Sequence, residues 1–185
     1  MIQRYTKTAI LLHWLIALLI VANVALAWIW PNLLPDAQVR PAIDLHKSIG
    51  VTVLGLAIMR LLWRMTHRPP ALPAGYARWE VTASHVTHWL LYAVLFAMPV
   101  TGWVMDSAYE KAATTPMYWF GLFQFPRLGF ILALDPATKK AVHVGFGAAH
   151  CYIAYVVYAL FVLHVAGALK HQFLDREKEL QRIWP

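Results

Sequence analysis

Acidic residues are scarce in this chain: 9 Asp and Glu stand against 16 Lys and Arg, and charges of both signs occupy only 14% of 185 positions. Hydrophobic residues make up 60%, with a mean hydropathy of +0.52, and an apolar excess of that size marks a membrane protein. A single cysteine, Cys151, excludes an internal disulfide, and the lack of any C-x-x-C-H excludes haem attached through thioether bonds. Neither a Walker loop, a dinucleotide-binding glycine pattern nor H-E-x-x-H occurs, which removes support for phosphate, nicotinamide and hydrolytic zinc chemistry. The net charge of +7 does not point to nucleic acid, because the Lys and Arg sit at the ends of apolar segments rather than on a solvated face. They read as topology signals and contacts to anionic lipid headgroups.

What is present is a set of long apolar runs. They predict an all-α membrane protein, a four-transmembrane-helix bundle forming one domain over 1–185, with spans at about 9–30, 41–65, 81–106 and 136–172. The basic start at Arg4 and Lys7 and the Ala25-Leu26-Ala27 triplet resemble a secretory signal, but the apolar run of about twenty residues is longer than a signal core and is expected to span. Pro31 and Pro35 are expected to end the first helix, Pro41 to open the second, Pro99 to kink the third, and Asp135-Pro136 to cap and start the fourth. Residues 107–135, with Trp119, Phe120, Phe123, Phe125 and Phe130, read as an aromatic lid at the membrane interface. Most of the Lys and Arg fall on the side that holds both termini. The positive-inside rule therefore places the termini in the cytoplasm and the lid on the opposite side of the membrane. No carboxylate is expected within a span.

Four histidines, His143, His150, His164 and His171, are spaced by whole heptads along the last apolar run. Seven residues return a helix to within about 20° of its starting azimuth, so these imidazoles form one stripe, and His150 and His164 are separated by about 21 Å of rise. That is most of the thickness of a hydrocarbon core. Counting depth from each helix end, His13 can meet His164 near the cytoplasmic face, and His46, placed about a turn inside its helix, can meet His150 near the other. A histidine inside a span is costly unless partnered; one reading is packing through hydrogen bonds to neighbouring helices, the other is a site.

Two pairs at two depths suit two cofactors that each take one axial nitrogen from two helices. Zinc or copper competes, but such sites usually want three or four protein ligands, including thiolate or carboxylate, whereas haem iron needs only two. Gly50, Gly145, Gly147, Ala148 and Ala149 offer room for a flat macrocycle, or simply close helix packing. Arg4, Lys7 and Lys170 on one side and Arg40 and Lys47 on the other are candidate propionate partners. Two histidine ligands close the coordination sphere of the iron, so the expected work is outer-sphere electron transfer. A haem-free proton or metal transporter built on the same ladder is the rival reading.

The sequence resembles the bacterial cytochrome b561 family through Leu12-His13-Trp14, Leu45-His46-Lys47-Ser48-Ile49-Gly50 with Arg60 and Arg64, Ser84-His85-Val86-Thr87-His88 with Tyr92, and His150 and His164 followed by Ala168-Leu169-Lys170-His171. The resemblance covers essentially the whole chain. It implies a four-helix bundle with two haem b groups, one on His13 and His164 and one on His46 and His150, and exchange of electrons with ubiquinone. It also implies, on the pattern of some relatives, oxidation of superoxide at the periplasmic face, where Arg40, Lys47, Lys139 and Lys140 would attract a small anion. The alternative is a haem-bearing membrane anchor for a periplasmic or soluble redox protein, docking on residues 119–130. His143 is left as a rival to His150. His85 and His88 are candidates for a proton relay, a quinone contact or structural hydrogen bonds. His171 is expected at the interface, His67 in solvent and Cys151 in the core.

Overall fold

A computed structural model describes residues 3–73 and 75–185. Its long helices are α1 (Lys7–Leu33), α2 (Asp36–Thr66), α3 (Arg78–Ser107) and α5 (Pro136–Leu169). A short hairpin, β1 (Tyr118–Trp119) and β2 (Phe123–Gln124), and the single turn α4 (Gly129–Leu132) lie between α3 and α5. A π-helical turn at Lys170–Leu174 extends α5, and α6 (Glu179–Ile183) closes the tail. Four of these helices are long and apolar enough to cross a membrane.

The ends of the helices follow local chemistry. Thr6 Oγ1 accepts from the Ala9 amide at 3.3 Å at the start of α1. Pro31 does not stop α1: it sits in the last turn, where its missing N–H costs one backbone bond, and the chain turns extended only at Leu34, ahead of Pro35. α2 begins at Asp36, five residues before the proline expected to open it, with that acid at the positive end of the helix and Arg40 Nε bonded to Asp44 at 3.0 Å one turn on. Pro41 is therefore in the second turn, and His46 lies ten residues into the helix rather than one turn in. Asp135 accepts from the amides of Ala137 and Thr138, each at 3.1 Å, with Pro136 at the first helical position of α5.

α1 packs on α2, α2 on α3, and α3 on α5. Among the long helices α5 packs chiefly on α3 and faces α1 and α2 across a gap bridged by side chains, such as Trp28 Nε1 donating to Tyr158 Oη at 3.1 Å. Ile16, Ile49 and Val53 form the apolar nucleus of the α1–α2 side. Both chain termini gather at one end of the bundle, where the Tyr5 amide donates to the Arg182 carbonyl at 3.0 Å.

The opposite end is covered by the segment between α3 and α5. Tyr118 pairs with Gln124 and Trp119 with Phe123 in the antiparallel hairpin, whose turn uses positive φ at Phe120 and Gly121. A phenylalanine at positive φ costs on the order of 1 kcal/mol. It is held there by the bond from its amide to Ser48 Oγ at 3.0 Å. Trp119 Nε1 donates to Thr52 Oγ1 at 3.0 Å, so the lid is fastened along two turns of α2.

Candidate cofactor sites

At the terminal end, His13 on α1 and His164 on α5 face each other across the gap with ring centroids 6.2 Å apart. His13 Nδ1 is buried and has no hydrogen-bond partner among the described residues. His88 from α3 approaches His164 edge-on at 5.3 Å, and its Nδ1 donates to the Ser84 carbonyl at 2.6 Å.

At the hairpin end, His46 on α2 and His150 on α5 are also 6.2 Å apart by ring centroid. Here the protonation of each ring can be deduced. His46 Nδ1 lies 3.3 Å from the Asn23 carbonyl, which can only accept, so Nδ1 carries the proton and Nε2 keeps a lone pair. Thr101 Oγ1 spends its one proton on the carbonyls of Ala97 and Met98, at 2.8 and 2.9 Å, and is left as an acceptor for His150 Nδ1 at 3.1 Å. His150 therefore also keeps an Nε2 lone pair.

The spacing of each pair fits a metal ion between two imidazoles. With a metal–imidazole bond of about 2 Å and about 1.1 Å from nitrogen to ring centre, two rings on opposite faces of one ion stand about 6.2 Å apart. Among the described residues no third histidine, cysteine or carboxylate brings a ligand atom into either pair; His88, although beside His164, spends its Nδ1 on the Ser84 carbonyl. The one grouping of three or more such donors among the described residues is Glu80, His171 and Asp175, and the Lys170 ammonium bonds to both of its carboxylates. A two-donor site is too poor for zinc and matches a haem iron, whose macrocycle brings the other nitrogens.

Small residues contribute differently from one another. A Cβ on Gly102 would lie 3.2 Å from His150 Cε1, so this glycine is what lets the imidazole lie against α3. Among the described residues a Cβ on Gly50 would meet nothing nearer than the Asn23 amide, at 3.9 Å, so there is room one turn from His46, and Asn23 Oδ1 is buried without a partner. Gly147 serves helix packing instead: a Cβ there would lie 3.2 Å from the Met105 sulfur. Thr101 and Gly102 were not foreseeable as site residues; a Thr-Gly pair in an apolar helix carries no signal until the neighbour's imidazole is seen on it.

Carboxylates, expected to be missing from the spans, are present: Asp44 lies within α2, and α3 reaches Ser107 with Asp106 buried in its last turn. Two cations make that burial tolerable, Lys47 at 2.6 Å and Arg127 at 2.8 Å. Arg127 also reaches the carbonyls of Ala112 and Thr115, so this acid ties the residue after His46 to the lid.

The remaining histidines are elsewhere. His143 Nδ1 donates to the Met105 carbonyl at 2.8 Å and its ring lies near Tyr109, so it is His150 that meets His46. His171 stacks on Tyr76 at 4.0 Å, and its Nδ1 is 2.7 Å from Asp175. His67 is exposed but stacks on Trp63 at 3.8 Å. Cys151, expected in the core, is exposed: one residue past an inward-facing His150, a helix turns it outward. Of the candidate propionate partners, Lys170 is bonded to Glu80 and Asp175, Arg40 to Asp44, and Lys47 to Asp106. Outside the spans, burial and the neighbouring Glu179 push the Tyr76 phenol well above its ordinary range, and the bond from Lys170 holds the Asp175 carboxyl below its own.

Residues 4–185 match the family model described as prokaryotic cytochrome b561. The chain is 32% identical to cytochrome b561 homolog 2 of Escherichia coli (strain K12), over 98% of this chain and 91% of that protein. It is 26% identical to the probable superoxide oxidase CybB of Yersinia pestis, over 99% and 97%, and 24% identical to cytochrome b561 homolog 1 of Escherichia coli (strain K12), over 99% and 98%. With four membrane-length helices and a match that runs almost from end to end, the chain belongs to the prokaryotic cytochrome b561 family of haem-binding, electron-transferring membrane proteins.

Proposed function

We propose that this chain carries electrons across the bacterial inner membrane through two haem b groups, held by His13 with His164 and by His46 with His150, and that it couples ubiquinone to a periplasmic donor, superoxide foremost. The observation that carries the reading is the common 6.2 Å spacing of two imidazole pairs, each drawn from two helices, at two levels of the bundle. Both termini lie in the cytoplasm in this reading, and the hairpin end faces the periplasm.

Each haem, when bound, supplies a reversible one-electron couple. The chain's own residues fix it. The Asn23 carbonyl and the Thr101 hydroxyl hold His46 and His150 in the tautomer whose Nε2 can ligate. The lid is fastened over the hairpin end by Ser48, Thr52 and Asp106. Because Arg40 and Lys47 are paired with acids, the cations left among the described residues to draw a small anion to this end are Lys111, Lys139 and Lys140. The electron count closes: two superoxide anions give up one electron each and leave as dioxygen, and one quinone takes both electrons with two protons to become the quinol.

Exposed Tyr118, Phe120, Leu122 and Phe123 on the hairpin favour a second reading, a haem-bearing anchor for a redox protein; a partner that copurifies in stoichiometric amount would support it. The deciding experiment measures haem per polypeptide from a reduced-minus-oxidised spectrum and then mixes the oxidised protein rapidly with superoxide. Two haems per chain, one after His164→Ala, and reduction by superoxide at a catalytic rate are expected. A full haem complement in His164→Ala, or oxidised protein inert to superoxide, would overturn the ligand assignment or the donor, respectively.

A further inference from the structure

A cavity of about 310 Å³ opens at the terminal end, where α1 begins and α2 ends. Arg4, Arg60, Arg64 and Arg68 line it together with Trp63 and Tyr92, and no carboxylate does. Its wall is built rather than loose. Arg182, buried in the C-terminal tail, donates to the carbonyls of Pro70 at 3.1 Å and Ala71 at 2.7 Å, while its own carbonyl accepts from the Tyr5 amide. Trp63 Nε1 donates to Thr6 Oγ1 at 2.9 Å, and Arg4 bonds to the Trp184 carbonyl.

The guanidiniums are poorly satisfied for groups so placed. Arg60 gives one bond, to the Ala9 carbonyl at 3.0 Å, and Arg64 lies over the rings of Trp89 and Tyr92 at 5.6 Å without a hydrogen bond to the protein among the described residues. Half-buried cations with free donors and no acid beside them call for an anion that accepts several N–H bonds at once. A tetrahedral phosphate oxyanion does so, and forked guanidiniums match its geometry. The place also matters: the cavity opens where two spanning helices meet the headgroup level, and Leu62 and Met65 are exposed on α2 beside its rim, where acyl chains would run.

We infer that this cavity binds one phosphate-bearing anion, with the headgroup of an anionic phospholipid the source its position favours over free phosphate. None of the four paired histidines lines this cavity, but Arg60 belongs to the electrostatic surroundings of His13 and His164, so haem content is read beside lipid binding in the test.

The test uses the haem-loaded protein in neutral detergent, titrated separately with phosphatidylglycerol, phosphatidylcholine and inorganic phosphate, with lipid adducts counted by native mass spectrometry. One phosphatidylglycerol per chain is expected, preferred over phosphatidylcholine by about tenfold or more. The preference should fall as salt is raised and be lost in the Arg60→Gln/Arg64→Gln double variant with haem content unchanged. Displacement of the lipid by millimolar phosphate would assign the site to phosphate from either source, and its persistence would assign it to the lipid. Equal retention of the two lipids by the unaltered protein overturns the proposal whether or not the variant folds. So does a variant that keeps phosphatidylglycerol but loses haem, since the guanidiniums would then be serving the haem carboxylates.

Discussion

Thr101 Oγ1 lies 3.1 Å from His150 Nδ1 and, its own proton already given to α3, takes a hydrogen bond from the imidazole. A bond of this kind makes the opposite ring nitrogen a better donor, which favours the oxidised metal. On the proposed two-haem reading, Thr101→Val should therefore leave the haem content unchanged and raise the midpoint potential of one haem by tens of millivolts, given that about 59 mV is a tenfold change for one electron. A potentiometric titration with one component moved and one unmoved is the expected result. Two unmoved components would detach Thr101 from the ligand.

Gly102 makes a sharper demand because its neighbour is a ring held from two sides. A Val side chain there would drive into His150 Cε1, which already lies 3.2 Å from the position of a Cβ. Gly102→Val should lose the hairpin-end haem and leave one per polypeptide. Gly55, with nothing within 4 Å, is the matched control: Gly55→Ala should retain both haems and their spectrum.

The histidine ladder can be read from the sequence because heptad spacing survives in any helix, whatever surrounds it. Depth counting also pairs His13 with His164 and His46 with His150, and these rings do face each other, even though α2 starts at Asp36 rather than Pro41. Pairing depends on how whole helices sit against one another, and an extra first turn does not move His46 relative to α5. The supports of the site are illegible for the complementary reason. Thr101 touches His150 only through the rotation of α3 about its axis, and the partners of Asp106 come from α2 and from an irregular loop. Local pattern encodes neither. Cys151 was misplaced because hydropathy does not distinguish a lipid-facing side chain from a core one.

Asp106 is the single acid between Lys47 and Arg127, with its side chain and that of Arg127 almost wholly inaccessible. Removing its charge leaves two neighbouring cations facing each other, one of them deeply buried, and breaking such a pair typically costs about 3–5 kcal/mol. Asp106→Asn should lower the thermal unfolding midpoint by several degrees and make residues 112–127 more open to protease, because Arg127 anchors that segment through the same guanidinium. An unchanged midpoint would mean that the lid is held without Asp106, by Ser48, Thr52, Trp103 and Ser107.

Lys139 and Lys140 separate steering from chemistry. Both lie in the first turn of α5, at the hairpin end and away from the imidazoles, so reversing their charge leaves the ligand set intact. Attraction of a small anion is a long-range effect that salt screens over about 10 Å at 0.1 M, so the consequence belongs in the second-order rate constant and its ionic-strength dependence, not in haem content or potential. Lys139→Glu/Lys140→Glu should slow reduction by superoxide about tenfold at low salt, with the difference shrinking as salt rises and with reduction by quinol unaffected. A uniform loss at every ionic strength would point to damaged folding. An unchanged rate would mean that the anion enters elsewhere, and the pairing of Arg40 and Lys47 with acids leaves few other unpaired cations at this end to guide it.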